Sequence, residues 1–179
     1  MCEMPTIFLD RDGTINERVE KGYVTSWDAF RFLPGAKEAL RRLAQEGYRV
    51  LVVSNQAGVG KGLMSQTELD RITTRFCRQV DRSGGRIDEV FYCTHTPAEE
   101  CDCRKPKPGL LLRAAEKYGV LLDRAYFIGD SDSDVLAGQR AGCRTILIRA
   151  RPTDGREAQA DFVVNSLSAA VDVVLKDAV

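Results

Sequence analysis

Short apolar runs recur along the chain, each followed at once by polar or glycine-rich positions. Ile7–Leu9, Arg49–Val53, Glu89–Tyr92, Ala125–Ile128 and Thr145–Ile148 have the length and near-continuous hydrophobicity of strands buried on both faces, and Phe162–Val164 is a shorter sixth. Between them the apolar spacing turns helical. Ala36, Ala39, Leu40, Leu43 and Ala44 follow Pro34-Gly35 and stop before Gly47. Leu69, Ile72, Phe76 and Val80 follow Ser65 and Glu68, a pair with the form of a capping box. Leu111, Leu112, Ala115 and Tyr118 mark another helix, a short one closes at Gly142, and a last runs from Leu167 to Lys176. Ile15–Leu33 reads as a polar connector. Strands that alternate with helices predict an α/β fold with a parallel sheet covered on both faces.

The 179 residues fit one domain with at most a small insert. Formal net charge is zero, which gives no footprint for nucleic acid or an anionic membrane. No apolar run approaches the roughly 20 residues that span a bilayer. Met1–Pro5 has neither a basic segment nor an apolar one ahead of the first strand, so a cytoplasmic protein is expected.

Four polar clusters sit just after four of the apolar runs: Asp10/Asp12, Ser54/Asn55, Arg104/Lys105 and Asp130/Asp134. In a parallel sheet these strand ends share one edge, where such sheets bind ligands. Two carboxylates that close repel each other unless a cation sits between them, and magnesium, which prefers oxygen and leaves room for phosphate, suits that place. The set fits phosphoryl transfer. One aspartate can attack phosphorus, and a second can shuttle the proton of the leaving oxygen and then of water. Ser54, backbone amides and Lys105 can hold the oxygens where charge gathers, while Asp130 completes a magnesium site with Asp10. Each cluster also has a plainer reading, as a turn or a solvated loop lysine.

Three of six cysteines fall within eleven residues, around the only histidine. Cys93, His95, Cys101 and Cys103 make a filled set of three thiolates and one imidazole, as expected of a structural zinc. A reduced loop with incidental cysteines is the alternative; a redox pair at Cys101 and Cys103 lacks the Cys-x-x-Cys spacing. Because Arg104 and Lys105 directly follow the last ligand, zinc would fix the loop that delivers them. Cys2, Cys77 and Cys143 read as ordinary structural residues.

Phe8-Leu-Asp-Arg-Asp-Gly-Thr14, Ser54-Asn-Gln56, Lys105 and Gly129-Asp130 resemble, in order, the four motifs of the haloacid dehalogenase superfamily of phosphatases. The resemblance implies a Rossmann-like, doubly wound, mainly parallel sheet without a cap, in a single phosphatase domain over residues 1–179 with the zinc loop 93–103 inserted after the third strand. It further implies Asp10 as nucleophile, Asp12 as general acid/base, Ser54 and Lys105 as phosphoryl stabilisers, and magnesium on Asp10, Asp130 and the backbone carbonyl of Asp12.

A zinc loop followed by Cys-Asp-Cys-Arg-Lys-Pro is similar to two capless branches, the heptose-bisphosphate phosphatases and the histidinol-phosphate phosphatases. Asp10–Asn16, Gly22-Tyr23 and Ser54–Gly58 fit the first better. Carried over by motif, the substrate contacts are Glu20, Lys21, Gly22, Tyr23, Asn55, Gln56, Ala57 and Arg104. Ser131 joins them, at a position where some relatives have a lysine, and the loop 16–22 is longer than that branch's usual form. The implied activity is removal of the 7-phosphate from a heptose bisphosphate, with a phosphorylated sugar as partner, no nucleic acid or membrane, and a monomeric enzyme. Histidinol-phosphate phosphatase is the enzymatic alternative. A catalytically silent zinc protein that binds phosphorylated ligands is the other.

Overall fold

The computed structural model describes residues 4–20, 22–149 and 159–177. Six strands, β1 (Thr6–Leu9), β2 (Arg49–Asn55), β3 (Glu89–Cys93), β4 (Tyr126–Gly129), β5 (Arg144–Ile148) and β6 (Phe162–Val164), form one sheet in the order β3-β2-β1-β4-β5-β6, with every pairing parallel. Phe8 stands beside Leu51 on one side and Phe127 on the other, which fixes the register at the centre. The chain builds outward from β1 to β3 and then crosses back to place β4 against β1. The strand order therefore reverses between β1 and β4, and the crevice such a reversal opens lies beyond Asp10 and Asp130.

Strand alternation sends side chains to two cores. Ile7, Leu9, Val50, Val52 and Ile128 face α1 (Ala36–Gln45) and α6 (Leu167–Asp177), meeting Leu40, Leu43, Val171 and Val174. Phe8, Leu51, Val53 and Phe127 face the opposite layer, where Leu110, Leu111 and Ala114 of α4 (Gly109–Tyr118) and Ala137 of α5 (Asp132–Ala141) cover them. Gly138 lets α5 sit flat on the sheet, since a Cβ there would lie 2.7 Å from Thr145. A short helix α2 (Ala57–Gly60), which hydrophobic spacing did not reveal, follows β2 directly.

Two local expectations change. The connector 15–33 is partly core: Val24 and Phe30 are buried against Leu69, Ile72 and Phe76 of α3 (Gln66–Arg82), and the Phe30 and Phe76 rings stack at 5.6 Å. Its apolar residues have neither strand nor helix period, which hid them. At the start of α3, Ser65 accepts a bond from the Glu68 amide at 3.1 Å, but the Glu68 carboxylate turns to Arg71 at 3.4 Å, so the box is half made. Among the described residues no helix is long and apolar enough to cross a membrane.

Helix α4 gives a direct check on these layers. Leu111 is 1 % exposed, whereas its neighbour Leu112 is 46 % exposed and points away from the sheet. Leu111→Ala should lower urea-unfolding stability by about 2–5 kcal/mol and Leu112→Ala by less than about 0.5 kcal/mol. Equal losses would contradict the packing.

Candidate functional site

Asp10 leaves the end of β1 with its amide bonded to the Ile128 carbonyl at 2.9 Å, which holds its carboxylate over the β1/β4 crevice. Lys105 reaches it from the loop after β3: the ammonium donates to Asp10 at 2.7 Å and to the Val53 carbonyl at 3.0 Å, and lies 2.6 Å from Asp134. Both Asp10 and Lys105 are buried. Two glycines make room for this cluster. A Cβ on Gly13, whose φ is +86°, would lie 1.9 Å from an Asp130 oxygen, and one on Gly129 would lie 2.4 Å from Asp134.

Oxygens of Asp10, Asp130 and Asp134 all lie within 4.8 Å of one another. Burial, reinforced by Asp134 and Asp12 and opposed by Lys105, pushes Asp10 up to about 6. Burial and then the Asp10 charge push Asp130 up to about 7, against the pull of Arg18, whose guanidinium donates to Asp130 at 3.0 Å. For Lys105 burial alone would favour the neutral amine, but Asp10 and Asp134 outweigh it and keep the side chain protonated. The Lys105 ammonium and the Arg18 guanidinium are two positive charges against three carboxylates, and Asp130 Oδ1 is buried without a hydrogen-bond partner. An all-oxygen set of this kind fits magnesium. A cleft of 460 Å³ between Leu33, Pro34, Arg149, Ser166 and Asp130 gives such an ion a way in.

The second aspartate has different surroundings. Asp12 accepts from Arg11 at 2.9 and 3.0 Å, from Asn16 Nδ2 at 2.8 Å and from Gln56 Nε2 at 2.6 Å. Although burial opposes it, these partners, Arg11 foremost, hold the carboxyl below its ordinary range. Its side chain is outside the three-carboxylate cluster. Ser54 is buried at the end of β2 and accepts from Gln56 Nε2 at 3.2 Å.

The residues expected at substrate divide into two groups. Glu20 and Gly22 are exposed, Tyr23 is half-buried over Gly58 and beneath the Lys61 ammonium at 5.3 Å, and Arg104 is half-buried, donating to the His95 carbonyl at 3.4 Å. Ala57 is buried at the start of α2. The polar side chains of the others turn inward. Asn55 clamps the Lys105 backbone at both ends, with its amide on the carbonyl and its oxygen on the N–H, each at 3.1 Å. Gln56 faces Asp12, and the Ser131 hydroxyl bonds Asp134 at 2.6 Å as the cap of α5. Lys21 lies outside the described residues, as does Cys2.

Sequence reasoning gave no role to Arg11, Asn16 or Arg18, and named Asp134 only as the companion of Asp130 in the cluster after the fourth strand. Asp134 had a readable signal, the Ser131-x-x-Asp134 capping spacing at the start of a helix. The others have none, because polar residues in a turn carry no period.

The cysteine cluster closes as expected. Cys93 Sγ lies 3.6 Å from Cys101 Sγ and 3.7 Å from His95 Nδ1, Cys103 Sγ lies 3.2 Å from that nitrogen, and Cys101 and Cys103 are 3.4 Å apart. A tetrahedron with bonds of about 2.3 Å has edges of about 3.8 Å, so the four atoms already stand near the corners that zinc requires. The loop is braced on both flanks. Thr96 and Glu99 form a full capping box, and Lys107 returns to the Glu100 carbonyl at 2.9 Å. Arg140 of α5 holds the Pro106 carbonyl at 2.7 Å, beside the cis Lys105–Pro106 bond. Cys77 and Cys143 lie apart, with burial pushing their thiols up to about 11 and about 12.

Residues 102–170 match the HAD-hydrolase-like family model. The D-glycero-beta-D-manno-heptose-1,7-bisphosphate 7-phosphatase of Haemophilus ducreyi is 36% identical over 178 residues, covering 94% of this chain and 95% of that protein. Its counterpart from Salmonella typhi is 37% identical over 175 residues, covering 92% of each. The crystal structure of D,D-heptose 1,7-bisphosphate phosphatase from B. bronchiseptica, complexed with magnesium and phosphate, superposes with a TM-score of 0.92 at 34% identity, covering 97% of this chain and 99% of that one. The chain belongs to the haloacid-dehalogenase-like hydrolases, in the family of the heptose-1,7-bisphosphate 7-phosphatases.

Proposed function

We propose that the chain hydrolyses the 7-phosphate of D-glycero-β-D-manno-heptose 1,7-bisphosphate through an aspartyl-phosphate on Asp10, as a cytoplasmic monomer of one domain. The observation that carries this reading is the meeting of Asp10, Lys105, Asp130 and Asp134 at the β1/β4 crevice, in a chain that follows the named 7-phosphatases along nearly their whole length. An Asp10 oxygen bonds to phosphorus as the bond to the sugar oxygen breaks, and Asp12, once protonated from solvent against the pull of Arg11, gives that oxygen the proton. Asp12 then takes a proton from the water that attacks the phosphorus, which releases phosphate and restores Asp10. Lys105 and the Ser54 hydroxyl hold the phosphoryl oxygens, with Asn55 fixing Lys105 by its backbone and Asp134 by its ammonium. Asp10, Asp130 and the Asp12 carbonyl would hold magnesium, which would supply positive charge against the phosphate oxygens. By motif, Tyr23 contacts the sugar, and Lys21 and Arg104 supply the charge for the second phosphate. Zinc on Cys93, His95, Cys101 and Cys103 fixes the loop that ends in Lys105.

Phosphate release should be measured with both anomers of heptose 1,7-bisphosphate and with histidinol phosphate, with magnesium and with EDTA. The β anomer should exceed histidinol phosphate in kcat/KM by about 100-fold or more, a gap that a second recognised phosphate can supply. Preference for histidinol phosphate would keep the chemistry and overturn the substrate. No magnesium-dependent turnover of any phosphomonoester would favour the silent, ligand-binding reading. Asp10→Asn should lower kcat by about 10⁴-fold or more while leaving the fold intact by circular dichroism. The purified chain should hold one zinc by elemental analysis, and Cys101→Ser should lose it with a fall in Tm of about 5–10 °C. A variant that kept both zinc and Tm would remove the metal from the account.

A further inference from the structure

We propose that Arg11 is a positioning residue that holds the Asp12 carboxylate aimed at the leaving oxygen, an assignment that rests on the phosphatase reading above. Arg11 stands between the two aspartates in sequence, yet its side chain is 0 % exposed and is the largest of the fully buried ones. A guanidinium so deep carries a desolvation penalty of several kcal/mol, which needs compensation. The compensation is incomplete as far as stability goes. Nη2 makes every hydrogen bond the group has, to both Asp12 oxygens at 2.9 and 3.0 Å and to Gln56 Oε1 at 3.2 Å, while Nε and Nη1 are buried without partners. Orphaned donors of a charged group add to the penalty. For folding alone, an apolar pair in place of both Arg11 and Asp12 would serve as well.

The bonds that Arg11 does make fix geometry. Gln56 accepts from Arg11 and donates to Asp12 at 2.6 Å, which closes a ring of three side chains from the segments just past two neighbouring strands. Asn16 adds a fourth member through Asp12 Oδ1 at 2.8 Å. Below the ring the guanidinium carbon lies 5.8 Å from the centroid of Tyr92, whose hydroxyl is tied to Thr73 of α3 at 2.8 Å. Asp12 is thus held by partners from the segments that follow β1 and β2, with 22 % of its side chain exposed. With an alkyl or sugar leaving group, the bond from phosphorus to oxygen breaks with its electron pair on oxygen, which must take the Asp12 proton as the Asp10–phosphorus bond forms. With 4-nitrophenolate that proton is not needed.

The leaving group is therefore the test. kcat/KM, which reports steps up to the first bond cleavage, should be measured for the full chain and for Arg11→Met and Arg11→Lys with 4-nitrophenyl phosphate, phenyl phosphate and heptose 1,7-bisphosphate. Arg11→Met should lose about 100-fold on phenyl and sugar phosphates but less than about 5-fold on 4-nitrophenyl phosphate, because general acid catalysis is all that is missing. Its Tm should fall, because Asp12 and Gln56 Oε1 lose their donor, so the leaving-group contrast and not Tm carries the test. Arg11→Lys should fall between, since a lysine side chain is one bond shorter and holds its ammonium short of the place where Nη2 meets Asp12 and Gln56. Should Arg11→Met fail to fold, the same leaving-group contrast in Arg11→Lys decides. Equal losses on all three substrates, or no loss, would overturn the proposal. If the parent cleaves the aryl phosphates but not the heptose bisphosphate, the substrate assignment falls and the role of Arg11 is still judged by the aryl pair.

Discussion

The ammonium of Lys105, shared between Asp10 and Asp134, is the contact on which the rest of this site depends. A buried ion pair contributes little to folding once desolvation is set against attraction, and here a third carboxylate, Asp130, crowds the same space. Such a cluster persists only where surrounding structure over-determines it. That structure is identifiable: Asn55 grips the Lys105 backbone at two points, Arg140 grips the next residue, and the cysteine cluster anchors the chain just before. Gly13 and Gly129 supply the missing volume into which Asp130 and Asp134 fit.

Topology explains why these groups meet at all. Asp10 and Lys105 are 95 residues apart, and Arg18 and Asp130 are 112 apart. Each belongs to a segment just past the carboxyl end of a strand, and the strands that matter most, β1, β2 and β4, are neighbours at the point where the strand order reverses. Lys105 comes from the loop after the edge strand β3, so it has farthest to travel. The loop that carries it is accordingly the one with a metal-binding set of its own.

The strands and the identity of the acidic cluster were legible because strands buried on both faces write continuous apolar runs, and the polar residues ending them stand out. The cysteine set was legible because four soft ligands within eleven residues have few other uses. Side-chain direction was not legible. Gln56, Asn55 and Ser131 sit where motif and position place a substrate contact, but their polar ends satisfy Asp12, Lys105 and Asp134. Periodicity tells which face a residue occupies and says nothing of a partner 44 or 50 positions away. Arg11 shows the limit most sharply, since a charged residue between two aspartates in a turn reads as solvent-facing and is instead wholly buried.

The crowding of charge also bears on metal dependence. The Lys105 ammonium donates to Asp10 and to the Val53 carbonyl and lies 2.6 Å from Asp134, so a phosphate oxygen must compete with partners already in place. A phosphate that enters also meets carboxylates whose proton affinity is raised by burial and mutual repulsion, with Asp10 near 6 and Asp130 near 7. Near neutral pH these groups compete with the phosphate for every positive charge within reach. Asp10 and Asp130 would hold a divalent cation between them, and its charge would offset the carboxylates against which a phosphate must compete. A need for metal would follow from that crowding, whichever sugar lies beyond the phosphate.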